Sequence, residues 1–313
     1  MRPLPLAGGT AVVAAAGLAG WLLLAGHAPS PPVPPPAALA PAAPVAATAA
    51  PAADAPAADA PIAAPAQAPG LPDPPPLGDA DAADPAGTVR LDDPRHQACL
   101  ALAGSNPRAA LREAETMLRA GAEQAGEHCA AAADLALGQS AEAARRLERL
   151  GTATEAPSQL RAAWLAQAGQ AWLMAGAADR AFSAATLALV LVPDDPDLLT
   201  DRAIAAATLG RPQDAIADLD KVLALDPARA EAFVFRAGAW REAGRADRAA
   251  EDIARALAID PGNPEAYLER GLLRAGAGDF ASARGDYLRA AELAPGTPTE
   301  ELARTQLAAI AGR

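Results

Sequence analysis

Few side chains in this sequence could carry out chemistry. The 313 residues include two cysteines and three histidines, and no nucleophile–histidine–acid arrangement, phosphate-binding loop or paired-carboxylate site occurs. His96 lies three residues before Cys99, and His128 directly precedes Cys129, so the ligand types of a zinc site are present. Adjacent residues on a helix point to different sides, which disfavours a shared metal for His128 and Cys129. We therefore predict no enzymatic activity, no metal and no cofactor, while two cysteines can form one disulfide.

The charge and composition of the chain limit the classes of molecule that it could bind. The formal net charge is −12 and the isoelectric point is about 4.7. Binding to nucleic acid requires a basic surface that neutralises phosphates, so nucleic acid is excluded as a partner. Asp and Glu lie mostly at helix-surface places, which is typical of solvated faces and gives no sign of a small-molecule substrate.

The chain begins with an apolar segment. Residues 4–26 contain no charged side chain and follow Arg2, which predicts a transmembrane helix within residues 1–28 with its N-terminus in the cytoplasm. A cleaved signal peptide is the alternative, although Pro29 follows the small residues that would form its cleavage site. The predicted location is therefore the bacterial inner membrane, with the C-terminal part in the periplasm, or the periplasm after cleavage.

A proline-rich and alanine-rich tract follows over residues 29–93. Eighteen of the 31 prolines lie in residues 29–85, and no Lys or Arg occurs between Arg2 and Arg90. Proline removes backbone donors, and the tract has few bulky apolar groups that could compensate the entropy of ordering. We predict a disordered linker.

Residues beyond the linker repeat with a period of 34. Proline, glycine and alanine each recur four times at this spacing, at Pro193, Pro227, Pro261 and Pro295, at Gly176, Gly210, Gly244 and Gly278, and at Ala181, Ala215, Ala249 and Ala283. The glycines separate two helix-length stretches of apolar periodicity, and each proline follows the second stretch. Each unit is therefore predicted to be a helix–turn–helix pair.

These units resemble tetratricopeptide repeats. If position 1 is set at residues 162, 196, 230 and 264, position 4 holds Leu165, Leu199, Phe233 and Tyr267, and position 8 holds Gly169, Ala203, Ala237 and Gly271. The resemblance implies an all-α fold, a right-handed α-solenoid with four repeats over 162–297. Two degenerate repeats are predicted over 94–157, with a four-residue insertion near 152–159, and a capping helix over 298–313 begins at Thr297-Pro298.

The resemblance also implies a concave groove lined by positions 2, 5, 9 and 12 of the first helix in each pair. The predicted binding residues are Asp197, Thr200, Ile204, Glu231, Val234, Glu265, Leu268 and Leu272. The alternative is that these side chains pack between repeats. The Lys, Arg and Asn residues of the family's clamp for terminal carboxylates are missing, so that ligand class is not carried over.

Further pairings depend on the repeat register. Cys99 and Cys129 fall on the first helices of the two degenerate repeats, which pack side by side in a solenoid. We therefore predict a disulfide between them, with free thiols or a zinc site as alternatives.

An Arg at position 7 and an Asp at position 23 recur together in the last three repeats. We therefore predict ion pairs within repeats: Arg202 with Asp218, Arg236 with Asp252 and Arg270 with Asp286. An arginine ladder for an anionic partner is the alternative.

The function predicted from these features is a non-enzymatic scaffold for protein–protein interaction. A solenoid on a flexible tether would bind a protein or peptide on its concave face. An accessory factor of envelope biogenesis, in cytochrome maturation or in cell-wall or outer-membrane assembly, has the same architecture and is the alternative.

Overall fold

The computed structural model describes residues 93–153 and 155–313, which form thirteen α-helices. They are α1 Pro94–Ser105, α2 Pro107–Arg119, α3 Glu123–Ala136, α4 Ser140–Thr152, α5 Ser158–Met174, α6 Ala178–Leu191, α7 Pro196–Thr208, α8 Pro212–Leu225, α9 Ala230–Glu242, α10 Ala246–Ile259, α11 Pro264–Gly276, α12 Phe280–Leu293 and α13 Pro298–Ala309. The predicted apolar N-terminal segment and nearly all of the predicted linker lie outside the described residues. Within the described part, every helix is too short or too polar to cross a membrane.

The helices form six consecutive helix–turn–helix pairs, followed by a single helix. In five of the pairs, the turn between the two helices contains a glycine. Gly138, Gly176, Gly210, Gly244 and Gly278 have φ between 68° and 84°, a conformation that side chains with a Cβ adopt at a cost. After α7, the amide of Gly210 donates to Ala207 and that of Arg211 donates to Ala206, both at 2.9 Å, which satisfies the last carbonyls of the helix. The first pair differs, because Gly104 stays helical and Asn106 makes the turn.

The predicted four-residue insertion is absorbed by helix α5. That helix has 17 residues, whereas α7, α9 and α11 have 13 each. It begins at Ser158, four residues before position 1 of its repeat, so the inserted residues add one turn at its N-terminus. The register of the following repeats is unchanged.

Small side chains at positions 8 and 20 let the two helices of a pair approach closely. Ala181, Ala215, Ala249 and Ala283 are each at most 1% exposed. In the last pair, Gly271 on α11 faces the ring of Tyr287 on α12, and a Cβ at Gly271 would lie 2.5 Å from Tyr287 Cε1. The ring of Tyr287 thus occupies the space that a side chain at position 271 would need.

Replacing Gly271 with Ala is therefore expected to destabilise the fold by about 1–3 kcal/mol, because the buried ring of Tyr287 has no free space to enter. Urea denaturation followed by circular dichroism would measure the change. Gly285, on the exposed side of α12, is the matched control, since a Cβ there meets no atom within 4 Å. Gly285→Ala should stabilise by about 0.5–1 kcal/mol, and equal effects of the two substitutions would contradict the packing argument.

The packing of the pairs distinguishes the two sides of the solenoid. Successive first helices contact one another at α1–α3, α5–α7, α7–α9 and α9–α11, whereas successive second helices hardly do. The first helices therefore lie on the inner side of the curvature. At the C-terminal end, α13 packs on α12, and the last apolar surface is covered by Leu302 and Ala303 of α13 and by Ile310 directly after it.

Candidate functional site

On the inner face of the first helices α5, α7, α9 and α11, positions 2, 6, 9 and 13 form the side turned to solvent, and only Glu269 among them is buried. On α7 these are Asp197, Asp201, Ile204 and Thr208, all exposed or partly exposed. Their spacing of four, three and four residues keeps them on one stripe of a helix. We call this stripe, taken over α5, α7, α9 and α11, the groove face.

The groove face does not include position 5, which corrects the predicted binding residues. Thr200, Val234 and Leu268 are buried, with exposures of 7%, 5% and 1%. Position 5 lies about 60° around the helix from position 2, whereas position 6 lies about 40° to the other side. This rotation turns position 5 into the core, where Val234 belongs to the same buried cluster as Leu199, and Leu268 to the same cluster as Tyr287. The prediction that these three side chains form an exposed stripe is wrong.

The other predicted groove residues lie on the groove face. Asp197 and Glu231 are exposed, and Ile204, Glu265 and Leu272 are partly exposed. Asp197 pairs with Arg229, and Glu265 accepts a hydrogen bond of 2.9 Å from the hydroxyl of Thr299 on the capping helix. The capping helix therefore also fixes the last acidic side chain of this row.

All the charged residues at the positions of the groove face are acidic. Its sixteen positions are Ala163, Gln167, Gln170, Met174, Asp197, Asp201, Ile204, Thr208, Glu231, Phe235, Gly238, Glu242, Glu265, Glu269, Leu272 and Gly276. Six of them are Asp or Glu, and none is Lys, Arg or His. The sequence pattern did not predict Asp201, Phe235, Glu242 or Glu269, because a groove assigned to positions 5 and 12 excludes positions 6 and 13.

Among the carboxyl groups of the groove face, that of Asp201 has the largest pKa shift. Burial, and then the like charges of Asp197 and Asp195, raise its pKa to about 7, against the lowering effects of a hydrogen bond with Gln170 and of the nearby Arg229. Glu242 is affected in the same direction, since burial also raises its pKa. At both carboxyl groups, the effect of burial on the pKa exceeds that of the nearby arginine, Arg229 or Arg241.

Asp201→Asn is expected to stabilise the protein above neutral pH and to leave its stability unchanged in acid. A carboxyl whose pKa is raised by folding favours the folded state while protonated, and this contribution is lost as the pH rises through about 7. The amide stays neutral and can keep the contact with Gln170. We expect a gain of roughly 1–3 kcal/mol at alkaline pH, reduced by the partial exposure of the site. Urea denaturation at several pH values would measure it, and a gain independent of pH would contradict the assignment.

A buried ion pair lies beneath the groove face between α9 and α11. Glu269 is 1% exposed and accepts a hydrogen bond of 2.9 Å from Arg241 Nε. Its carboxylate lies beside Gly238, where an added Cβ would be 3.5 Å from Glu269 Oε1. The neighbouring Tyr287 hydroxyl is buried, and burial together with Glu269 raises its pKa to about 12. Arg241 thus neutralises the buried Glu269.

The family model described as tetratricopeptide repeat matches residues 171–239 and 236–308. This match supports tetratricopeptide repeats over these residues. No enzyme family is indicated, and proteins built of tetratricopeptide repeats are generally non-enzymatic scaffolds. A comparison with curated proteins found no match.

Solved structures with the same kind of fold include a tetratricopeptide repeat protein from Parabacteroides merdae. It is 15% identical, with a TM-score of 0.55, over 71% of this chain and 87% of that one. MamA from Desulfovibrio magneticus is 20% identical, with a TM-score of 0.44, over 56% and 92%. YrrB, described as having an unusual peptide-binding site, is 17% identical, with a TM-score of 0.44, over 61% and 95%. At 15% identity, the likeness to the protein from Parabacteroides merdae concerns the fold alone.

Within the tetratricopeptide repeats, the structure places each predicted Arg–Asp pair inside one repeat. The shortest distances are 2.7 Å for Arg202–Asp218, 2.7 Å for Arg236–Asp252 and 2.8 Å for Arg270–Asp286. The three aspartates are at most 4% exposed. The pairs therefore join the two helices of a repeat, and they lie apart from the groove face.

The upstream degenerate repeat carries the same link with the charges exchanged. There Arg146 occupies position 23, and its Nε donates to Oδ2 of Asp134 on the first helix at 2.8 Å. Arg274, at the position equivalent to Asp134, contacts Asp286 in the last repeat. One structural site thus accepts either arrangement of charges, which the position-7 pattern could not reveal.

The cysteines and histidines gather where α1 meets α3. Cys99 and Cys129 are joined by a disulfide with a Cα–Cα distance of 5.9 Å. His96 Nε2 and His128 Nδ1 are 3.1 Å apart, and His128 Nε2 donates to Gln167 Oε1 at 3.2 Å, so His128 Nδ1 accepts from His96. Burial lowers the pKa of His128. Among the described residues, no group of three His, Cys, Asp or Glu side chains could hold a metal ion.

Proposed function

We propose that the tetratricopeptide repeats form a scaffold that binds a protein or peptide segment on the groove face. The observation that carries this proposal is the juxtaposition on the inner side of partly exposed apolar side chains, Ile204, Phe235 and Leu272, with the carboxyl groups of Asp201 and Glu242, whose pKa is raised by burial. An apolar surface kept partly in water lowers solubility unless a partner covers it. No catalytic arrangement accompanies these groups, so binding is the function that the geometry supports.

A photoreactive phenylalanine analogue at position 235 tests this proposal in the full chain. The analogue keeps the aromatic ring, so the repeat should fold as before. Ser183, which is exposed on the second helix α6, provides the matched control position. Irradiation in cells should give a defined adduct from position 235 and none of the same mass from position 183. The adduct's partner, identified by mass spectrometry and then purified, should bind the parent chain. Equal labelling from both positions would overturn the proposal.

We further propose that the repeats are presented outside the cytoplasm, tethered by the apolar segment at residues 4–26. The disulfide between Cys99 and Cys129 supports this location, because disulfides persist in oxidising compartments. Fusions of the C-terminus to reporters that are active on only one side of the membrane would test it. Activity of the periplasmic reporter is expected, and activity of the cytoplasmic reporter alone would contradict it. Recovery only in the soluble periplasmic fraction would favour a cleaved signal over an anchor.

A further inference from the structure

One repeat of the groove face lacks a side chain at position 9. Position 9 holds Gln170, Ile204 and Leu272 in three repeats and Gly238 in the fourth. The three nearest heavy atoms to a Cβ at Gly238 all belong to Glu269, at 3.5–3.9 Å. Since these are ordinary contact distances, the missing side chain leaves room on this face, in the repeat between those of Ile204 and Leu272 and one turn after Phe235. We call this space the notch.

The walls of the notch are apolar, and its floor is neutralised. Ile204, Phe235 and Leu272 are each partly exposed, so apolar surface remains available to a ligand. Glu269 beside Gly238 is fully paired with Arg241 and 1% exposed, so it offers a ligand no free charge. An apolar side chain of moderate size therefore suits the notch better than a polar side chain does.

The surroundings of the notch are acidic. Asp201 lies one turn before Ile204, and Glu242 lies one turn after Gly238. The two arginines that reach this region, Arg229 and Arg241, are already paired with Asp197 and Glu269. Cationic groups from outside the chain are therefore the complement of Asp201 and Glu242.

From this arrangement, and resting on the proposed function, we infer that the partner supplies an extended segment in which an apolar residue enters the notch between flanking Lys or Arg residues. The apolar side chain would replace water against Ile204, Phe235 and Leu272. The flanking cations would face Asp201 on α7 and Glu242 on α9. Because Asp201 and Glu242 are partly buried, their attraction to these cations would be stronger than that of the same charges at an open surface.

Binding should also depend on pH in a defined direction. A cation next to Asp201 favours the ionised carboxylate, whose formation is opposed by burial and by Asp195 and Asp197 and is assisted by Arg229 and Gln170. Around Glu242, Arg241 favours ionisation and Glu269 opposes it. Affinity for a basic segment should therefore rise as the pH rises through about 7 and fall in acid.

Three labelled synthetic peptides of equal length test the inference with the full chain by fluorescence anisotropy. One carries an Arg-Leu-Arg centre, one Glu-Leu-Glu and one Arg-Ser-Arg, in the same uncharged flanks. The Arg-Leu-Arg peptide should bind about tenfold more tightly than either of the others. Equal or tighter binding of the Glu-Leu-Glu peptide would overturn the inference, as would equal binding of the Arg-Ser-Arg peptide.

Two variants with matched controls locate the contact. Gly238→Leu fills the notch and should weaken Arg-Leu-Arg binding about tenfold, whereas Gly285→Leu, on the exposed face of α12, should not change it. Asp201→Asn should weaken binding and remove most of the pH dependence, whereas Asp179→Asn on α6 should do neither. Circular dichroism would verify that each variant is folded. Equal effects of Gly238→Leu and Gly285→Leu would overturn the notch assignment.

The outcome can be separated from that of the proposed function. If none of the three peptides binds while the analogue at position 235 still labels a defined partner, the groove binds a segment of different chemistry, and this inference is wrong. If position 235 labels no partner and the Arg-Leu-Arg peptide fails too, both are wrong.

Discussion

Replacing Arg236 with Met is expected to lower the free energy of unfolding by about 3–5 kcal/mol, because it leaves a buried carboxylate without its partner. Arg236 binds Asp252 through two hydrogen bonds of 2.7 and 2.8 Å, and the two side chains are 14% and 4% exposed. Met keeps the apolar stem of the side chain, so the loss reports mainly on the charge. Urea denaturation followed by circular dichroism would measure it.

Two controls separate this pair from ordinary surface charges. Arg248 pairs with Glu251, but both side chains are more than half exposed, so Arg248→Met should cost about 0–1 kcal/mol. The double variant Arg236→Met with Asp252→Leu should recover most of the lost stability, because it also removes the stranded charge. If Arg236→Met costs no more than Arg248→Met, the pair has no structural importance.

Loss of the disulfide should have an effect of similar size on a different part of the molecule. Cys99 and Cys129 are separated by 30 residues, and closing a loop of that length stabilises by about 3–4 kcal/mol on the chain-entropy account. Both residues are at most 1% exposed, so replacing both with Ala is less disruptive than introducing hydroxyl groups. Since each repeat contacts only its neighbours, the destabilisation should be concentrated in helices α1–α4.

Hydrogen exchange measured by mass spectrometry can test this localisation. Peptides from α1–α3 should lose protection in the Cys99→Ala/Cys129→Ala variant, while peptides from α9–α12 should keep the parent's protection. The parent chain treated with reductant should match the variant. Uniform loss of protection along the chain, or no loss at all, would contradict a local stabilising role for the disulfide.

The sequence by itself determined the repeat architecture of residues 162–297, because its signals are local and recur at a fixed period. Small residues at positions 8 and 20, a glycine at the turn and a proline after each second helix constrain how two neighbouring helices pack. The Arg–Asp pairs could be assigned for the same reason, since the two residues vary together within one repeat. The capping helix was predictable from the Thr297-Pro298 start, which the structure shows as a capped helix N-terminus.

The tertiary structure alone decided which side of each first helix faces the groove. Positions 2, 5, 9 and 12 and positions 2, 6, 9 and 13 are both helical stripes, and they differ by a modest rotation that local spacing does not determine. The contacts of α7, α9 and α11 with their neighbours set this rotation, bury Thr200, Val234 and Leu268, and bring Asp201, Phe235 and Glu242 to the groove face. The exchanged charges of Asp134 and Arg146 also depend on tertiary contact, because either order of charges satisfies the same pair of facing helices.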